Sequence, residues 1–129
     1  MVVHSLDHIV ELMDRAFNEG DVSALLGFYE DAAVVVTGPG QAVRGREELR
    51  RFFEQVMQSG SSAKQLKTHV LEAEGIALFI SRWTLETKGV ETGPTARTLV
   101  ATTVFRRQSD GGWKALIDNS IGPMVLGPE

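Results

Sequence analysis

The stretch TARTLVATTVFRRQSDGGWKALIDNS, residues 95–120, decides the fold. Thr95 to Arg107 is rich in β-branched residues and predicts a long strand. Ser109-Asp110-Gly111-Gly112 has the composition of a hairpin turn, and Trp113 to Ser120 predicts the strand that returns from it. The stretch therefore predicts an antiparallel hairpin.

Two further strand candidates precede this hairpin. Gln65 to Glu74 turns at Gly75, and Ile76 to Glu86 follows it. The segment Thr87 to Thr95 is predicted to be a loop, because it contains Gly89, Gly93 and Pro94. The second half of the chain therefore predicts a meander of four strands.

Three helices are predicted in the first half. The first has Ser5 as its N-cap and ends at Gly20, and Asp21 caps a short second helix that runs to about Tyr29. The third begins near Gly45 and closes before Gly60. Apolar residues at helical spacing define the first and third helices: Leu6, Ile9, Val10, Met13, Ala16 and Phe17, and then Leu49, Phe52, Phe53, Val56 and Met57.

One short strand, Ala32 to Thr37, lies between the second and third helices and ends at Gly38-Pro39-Gly40. Helices segregated from antiparallel strands indicate an α+β protein with its helices packed on one face of a sheet. The chain shows no repeat, low-complexity tract or linker, so residues 1–129 are predicted to form a single domain. The tail after Gly122 is predicted to be irregular.

Composition excludes several classes of function. Of 129 residues, 43% are hydrophobic and 23% charged, which is typical of a globular domain, and the net charge of −4 argues against a nucleic-acid partner. The basic run from Arg44 to Arg51 is interrupted by Glu47 and Glu48 and is interpreted as a solvated helix face. No apolar stretch is long enough for a membrane span, so we expect a soluble, cytoplasmic protein.

Neither a metal nor a cofactor is expected. The chain has no cysteine, which excludes thiolate chemistry and cysteine-based metal sites, and it has no phosphate-binding or dinucleotide-binding glycine motif. His4 and His8 share a helical face that could hold a metal with a carboxylate, but we interpret them as facing solvent. His69 lies on a predicted strand and is interpreted as a surface residue.

Several short motifs resemble the nuclear transport factor 2-like superfamily. They are Gly20-Asp21, Tyr29 with Asp31, the strand Ala33 to Thr37, Gly45-Arg46-Glu47, and Gly112-Trp113-Lys114. The resemblance covers nearly the whole chain and falls in the SnoaL-like, ketosteroid isomerase-like group. The ending Ile117-Asp118-Asn119 before Gly122 is most similar to the small, uncharacterised bacterial members of that group. The resemblance implies a cystatin-like cone, in which three N-terminal helices pack on a curved, mostly antiparallel mixed sheet around a cavity. It also implies a homodimer that pairs through the sheet.

The catalytic positions of ketosteroid isomerase are not matched in this sequence. That enzyme uses a carboxylate base, a tyrosine and a protonated aspartate. By position, the resemblance carries these roles onto Thr37, Met13 and Thr103, none of which can fulfil them. The resemblance therefore implies the isomerase's fold without its catalytic residues.

Strand alternation, combined with the resemblance, predicts which side chains line the cavity. The cavity should be an apolar cup for a small apolar or aromatic ligand, with a few hydroxyl groups and one carboxylate. Trp83 is phased toward the cavity and is interpreted as a residue of its wall or of the core, whereas Trp113 is interpreted as a residue of the core or of the dimer contact. The predicted ligand-binding residues are Met13, Phe17, Thr37, Phe53, Phe79, Ser81, Trp83, Thr103, Leu116, Asp118 and Ser120, with Met57, Leu85, Leu99, Ala101 and Phe105 beside them.

Asp118 is the candidate catalytic residue. In an apolar cavity, desolvation would raise the pKa of its carboxyl group and suit it to general acid or base catalysis. Alternatively, it binds a backbone N–H, Arg82 or Arg97 and only orders the end of the strand. A shift of one residue in strand register would instead turn Asp118 outward and Asn119 inward.

Three functions are compatible with these features. The first is a small-molecule-binding protein, and the second is an enzyme of lyase, isomerase or cyclase type that uses Asp118. The third is a dimeric interaction module whose cavity is filled. The volume of the cavity distinguishes the interaction module from the binding protein and the enzyme, which both need an open cavity. A second titratable group near Asp118 would favour the enzyme over the binding protein.

Overall fold

A computed structural model of the chain describes residues 5–88 and 94–128. Three helices and six strands make up the fold. The helices are α1 (Leu6–Glu19), α2 (Val22–Leu26) and α3 (Gly45–Gln58). The strands are β1 (Tyr29–Gly38), β2 (Gln41–Arg44), β3 (Ser62–Ala73), β4 (Ile76–Lys88), β5 (Pro94–Arg107) and β6 (Trp113–Asn119), and a 3₁₀ helix, Gly122–Leu126, follows them.

All six strands form one mixed sheet in the order β2-β1-β6-β5-β4-β3. β1 runs parallel to β6, and every other neighbouring pair is antiparallel. The meander β3 to β6 and the helices packed on the curved sheet confirm the predicted α+β class and the cystatin-like cone. The helices cover one face of the sheet, so the cavity lies between that face and the helices.

The corner between α1 and α2 forms as its sequence predicts. Gly20 has a φ of 73°, and its N–H donates to the carbonyl oxygen of Phe17 at 3.1 Å. The Asp21 side chain accepts a hydrogen bond of 3.0 Å from the N–H of Ala24 and caps α2. Ser5 is the N-cap residue of α1, as predicted, but its side chain makes no capping hydrogen bond.

Several elements differ from the sequence prediction, and β3 begins at Ser62, three residues before the predicted start at Gln65. α2 ends at Leu26, and Tyr29 begins β1 instead of ending the helix. The short strand β2 (Gln41–Arg44), which the sequence did not predict, returns from the Gly-Pro-Gly turn and pairs with β1. The tail forms a 3₁₀ helix that begins at Gly122, where irregular chain was expected.

The predicted loop between β4 and β5 is shorter than expected. β4 continues to Lys88 and β5 begins at Pro94, while Gly89 and Gly93 lie outside the described residues. In the described part of the chain, no helix combines the length and the apolar character that crossing a membrane requires.

Alternation along β4 and β5 separates the two faces of the sheet. Phe79 pairs with Thr103, and Trp83 pairs with Leu99, all on the face toward the helices. The main core packs helical residues such as Leu49 and Phe53 against this face. The opposite face keeps several large apolar side chains exposed, among them Leu71, Ile76, Val100 and Ile117.

Candidate functional site

A cavity of about 350 Å³ lies between the sheet and the helices. This volume is within the usual range of small-molecule sites, so the cavity is not closed by its own side chains. Its wall is mainly apolar and carries three charged residues, Asp14, Arg97 and Asp118. The other lining residues are Val10, Met13, Phe17, Leu25, Tyr29, Val35, Val36, Thr37, Phe52, Phe53, Val56, Ala63, Gln65, Phe79, Trp83, Leu85, Leu99, Ala101, Thr103, Phe105, Ser120 and Ile121.

Most of the side chains assigned to the cavity from the sequence lie on its wall. Ser81 and Leu116 do not, and Val56 takes the place expected for Met57 on α3. The predicted residues that the structure brings together are Met13, Phe17, Thr37, Phe53, Phe79, Trp83, Thr103, Asp118 and Ser120.

Ser81 is on the predicted face of β4 but lies beneath another side chain. Its residue is only 1% exposed, and its hydroxyl group donates a hydrogen bond to the side-chain oxygen of Gln65 on β3. Gln65 therefore covers Ser81 and presents its own amide to the cavity instead. The expectation that Ser81 contacts a ligand is wrong for this reason.

Leu116 is displaced by a β-bulge in β6. Phe105 pairs with Ala115, whereas Thr103 pairs with Asp118, so Leu116 is the extra residue between the two paired positions. Strict alternation had placed Leu116 and Asp118 on the same face, and the bulge breaks that alternation. Leu116 therefore leaves the cavity wall, while Asp118 faces the cavity together with Thr103.

Asp118 accepts hydrogen bonds on both carboxylate oxygens. The hydroxyl group of Tyr29 donates to Oδ2 at 2.5 Å, and the hydroxyl group of Thr103 donates to Oδ1 at 3.1 Å. Burial raises the pKa of Asp118 above its ordinary value of 3.8, and the two hydrogen bonds offset part of that rise. The partners are two hydroxyl groups, so the alternative of a pair with Arg82 or Arg97 is wrong.

Tyr29 is buried at the start of β1 and is held by an aromatic contact. Only 3% of the residue is exposed, and its ring centroid lies 5.3 Å from that of Phe53 on α3. Burial, followed by the negative charge of Asp118, raises the pKa of Tyr29 well above its ordinary value of 10.0. Tyr29 therefore keeps its proton and acts as a permanent hydrogen-bond donor to Asp118.

Asp14 is a second carboxyl group on the cavity wall, and it comes from α1. Burial raises its pKa to about 6, a hydrogen bond of 3.4 Å from the side-chain amide of Gln65 offsets part of the rise, and the charge of Asp118 adds to it. The signal that could have revealed it is its position. Asp14 interrupts the apolar stripe formed by Val10, Met13 and Phe17, where a carboxylate is unexpected.

The acid–base groups of this cavity do not occupy the isomerase positions. Thr37 and Met13 line the wall without any titratable group, and Thr103 serves as a donor to Asp118. The titratable groups are Asp14, Tyr29 and Asp118 instead. The sequence analysis described the isomerase roles as unfilled at Thr37, Met13 and Thr103, and it did not identify the carboxyl pair present here.

The remaining candidates lie away from this chemistry. His69 is exposed on the edge strand β3, and His8 is exposed and contacts Glu11 at 3.3 Å, while His4 is outside the described residues. Trp83 donates to the carbonyl oxygen of Ser120 at 2.9 Å across the cavity wall. Within residues 5–88 and 94–128, no three histidine or acidic side chains are grouped to hold a metal ion.

Comparison with known families assigns this architecture. The family model of the SnoaL-like domain matches residues 9–116. The chain belongs to the SnoaL-like domain family. It is thereby a member of the nuclear transport factor 2-like superfamily, as its motifs indicated. The SnoaL-like match includes Asp14, Tyr29 and Thr103 and ends two residues before Asp118. No curated protein matches the sequence.

Solved structures share the SnoaL-like fold at low sequence identity. A proposed dehydratase of the nuclear transport factor 2-like family from Streptomyces avermitilis has 21% identity and a TM-score of 0.76, with coverage of 88% of this chain and 90% of the other. A protein of unknown function with a cystatin-like fold from Nostoc punctiforme has 17% identity and a TM-score of 0.72, with coverage of 95% and 96%. A nuclear transport factor 2-like protein of unknown function from Shewanella oneidensis has 18% identity and a TM-score of 0.71, with coverage of 89% and 94%. At these identities, the likeness shows the fold alone.

Proposed function

We propose that this protein is an enzyme of lyase or isomerase type that transfers protons on a small, mainly apolar molecule. The observation that carries the proposal is the carboxyl group of Asp118, which faces an open apolar cavity and is held by Tyr29 and Thr103. A carboxyl group with a raised pKa in a mainly apolar site can exchange a proton with a substrate near neutral pH.

The hydrogen bonds assign a role to each neighbour of Asp118. Tyr29 and Thr103 donate to opposite oxygens, so they fix the plane of the carboxyl group and leave its remaining lone pairs directed elsewhere. Both are positioning residues, since each acts through Asp118. The short bond from Tyr29 also stabilises the ionised form of Asp118 when it has released its proton.

Asp14 supplies the second half of the chemistry. It approaches from α1, whereas Asp118 approaches from the sheet, so a ligand in the cavity lies against both carboxyl groups. A pKa of about 6 leaves Asp14 mostly ionised at neutral pH, which suits a base. In the proposed reaction, one carboxylate takes a proton from carbon beside a carbonyl group, and the other carboxyl group gives a proton to the carbonyl oxygen. The first carboxyl group then returns its proton to a different carbon, while the enol oxygen gives its proton back to the second carboxylate, which completes an isomerisation. In a dehydration, the first carboxyl group instead gives its proton to a β-hydroxyl group that leaves as water, and the enol oxygen again returns its proton to the second carboxylate.

Exchange of hydrogen for deuterium tests the proton-transfer step directly. β-Tetralone, an aromatic ketone of suitable size, is incubated with the protein in D2O, and deuterium uptake beside the carbonyl group is followed by mass spectrometry. We expect the wild-type protein to accelerate uptake and Asp118→Asn to abolish the acceleration. Glu54→Gln, which removes an exposed carboxylate on α3, serves as the charge control and should keep it.

A ligand-binding protein without turnover is the second candidate. The aromatic wall formed by Phe53, Phe79 and Trp83 favours it, because such a surface binds apolar ligands without any acid or base. Quenching of tryptophan fluorescence by β-tetralone, with deuterium uptake equal in the wild-type protein and in Asp118→Asn, would establish binding alone and reject the enzyme.

We also propose that the protein is a homodimer. The solvent-facing side of the sheet exposes Leu71, Ile76, Val100 and Ile117, at 39–54% of their surface. Side chains of this kind in adjacent strands form an apolar surface that favours pairing with a second copy. Such pairing would leave the cavity open, because the cavity lies on the opposite face of the sheet.

A further inference from the structure

Arg97 gives the cavity one cationic end. It lies on β5 in register with Leu85, and both side chains line the cavity. Within the described residues, Arg97 has no carboxylate, carbonyl or ring partner. The other two charged lining residues, Asp14 and Asp118, are acids. A guanidinium group on the wall of an apolar cavity that pairs with no anion among residues 5–88 and 94–128 can pair with an anion of the ligand.

The positions along β5 set the distance between the two ends. Leu99, Ala101, Thr103 and Phe105 line the cavity at every second residue after Arg97, so the cavity follows the strand. Thr103 is paired with Asp118. Thr103 follows Arg97 by six positions, which corresponds to about 20 Å between their backbones at about 3.4 Å per residue. The cationic end is therefore remote from the proton-transfer groups.

Charge then fixes one orientation for an anionic ligand. A carboxylate placed near Asp118 or Asp14 would meet like charge, whereas at Arg97 it meets a donor of hydrogen bonds. We infer that the cavity takes an elongated apolar carboxylic acid, with its carboxylate bound by Arg97 and its opposite end held against Asp118 and Tyr29. This inference rests on the proposed function, and it assigns Arg97 as a residue that determines the substrate class.

Three ligands with one skeleton test this assignment. ω-Phenyloctanoate, ω-phenyloctanamide and ω-phenyloctylamine differ only in the charge of their end group, and calorimetric titration gives their affinities without any turnover. We expect the carboxylate to bind tightest and the amine weakest. The preference for the carboxylate should decrease at high salt, because Arg97 is exposed to solvent.

Variants at two arginines distinguish the effect of losing Arg97 from the effect of changing the net charge of the protein. Arg97→Gln should weaken binding of the carboxylate about three- to tenfold, the size expected of a solvent-accessible charged hydrogen bond, and leave binding of the amide unchanged. Arg97→Lys should retain part of the preference. Arg82→Gln is the matched control. Arg82 is exposed on the face of β4 opposite the cavity, and its replacement by glutamine removes one positive charge, as Arg97→Gln does.

The inference is overturned if the wild-type protein binds the carboxylate no more tightly than the amide, or binds none of the three ligands. Equal losses in Arg97→Gln and Arg82→Gln would also overturn it, since the effect would then belong to net charge. Preference for the amine would assign recognition to the acidic groove beside the cavity, where Asp7, Glu11 and Asp14 lie. Deuterium uptake by β-tetralone is unaffected by any of these results, so the proposed function is tested separately.

Discussion

Replacing Asp14 with asparagine should stabilise the folded protein near neutral pH. Asp14 lies within the apolar stripe of α1, and its carboxyl group borders the cavity, where its ionised form loses hydration. Asparagine has nearly the same shape and can still hydrogen-bond with Gln65, but it carries no charge. The substitution therefore removes the desolvation cost of a partly buried charge and changes little else.

The size of the effect follows from the pKa of Asp14, which rises from 3.8 to about 6 on folding. Each pKa unit corresponds to about 1.4 kcal/mol, so the rise corresponds to an upper limit of about 3 kcal/mol. Because the folded protein binds this proton more tightly than the unfolded chain does, the contribution is fully present below pH 3.8. It is lost as pH rises through about 6. Residual contact with water in the cavity reduces the expected change to about 1–3 kcal/mol.

Urea unfolding followed by circular dichroism measures this change. The difference in unfolding free energy between Asp14→Asn and the wild-type protein is determined at about pH 3.5 and about pH 7.5, on either side of the transition. We expect the difference to move in favour of the variant by about 1–3 kcal/mol between the two pH values. Glu54→Gln removes an exposed acid on α3 and controls for net charge.

An equal stability difference at both pH values would refute the reasoning, since Asp14 would then titrate alike in the folded and unfolded chains. A shift in favour of the wild-type protein at the higher pH would show that the charge of Asp14 is paired. Deuterium uptake adds a second reading of the same variant. Asp14→Asn should lose the acceleration while gaining stability, which is the combination expected of a functional group maintained at a cost to folding.

Three other predictions concern the cavity wall, the tail and the solvent-facing side of the sheet. Trp83→Ala should weaken β-tetralone binding more than Trp113→Ala, whereas Trp113→Ala should lower the unfolding free energy by about 3–5 kcal/mol, because Trp113 is buried in the main core. An unchanged melting temperature for Trp113→Ala would contradict its place in the core. Gly122→Ala should destabilise the protein by about 1–3 kcal/mol, since the φ of Gly122 is 54° and a Cβ there would lie 2.5 Å from a carbonyl oxygen of β5. Gly20 has a φ of 73° and open space around it, so Gly20→Ala should lower the unfolding free energy, measured with urea, by less than Gly122→Ala does. Equal losses in the two variants would show that the close contact at Gly122 contributes nothing. Ile117→Lys should yield a monomer in sedimentation at micromolar concentration, and a wild-type protein that sediments as a monomer would refute the proposed dimer.

Sequence patterns were most informative where one rule governed a whole element. Alternation along β5 gave the cavity-facing residues from Leu99 to Phe105 correctly, because both neighbours of β5 pair with it over long stretches and hold its register. The Gly-Asp corner was equally predictable, since a left-handed residue followed by a capping aspartate specifies its local geometry.

The missed features depend on contacts between distant residues. The bulge at Leu116 arises from the pairing of β6 with β5, and no turn residue marks it in the sequence. Ser81 was assigned to the correct face, but only the folded structure shows that Gln65 covers it. Tyr29 was assigned to the end of a helix, so its bond with Asp118, a residue 89 positions away, could not be anticipated.

The bulge at Leu116 also means that the chemistry of this cavity depends on the length of β6 as well as on its composition. Deleting Leu116 would remove the bulge and keep Asp118 opposite Thr103, but a strand that kept Leu116 in regular pairing would place Ile117 opposite Thr103 and turn Asp118 to the other face. In that regular strand, every residue of the candidate site would still be encoded, yet the pairing that presents Asp118 to the cavity would be lost. A one-residue change in the length of β6 therefore leaves the acid facing the cavity where a bulge absorbs the extra residue and turns it outward where no bulge forms, so a library of such length variants is a direct way to redesign the site.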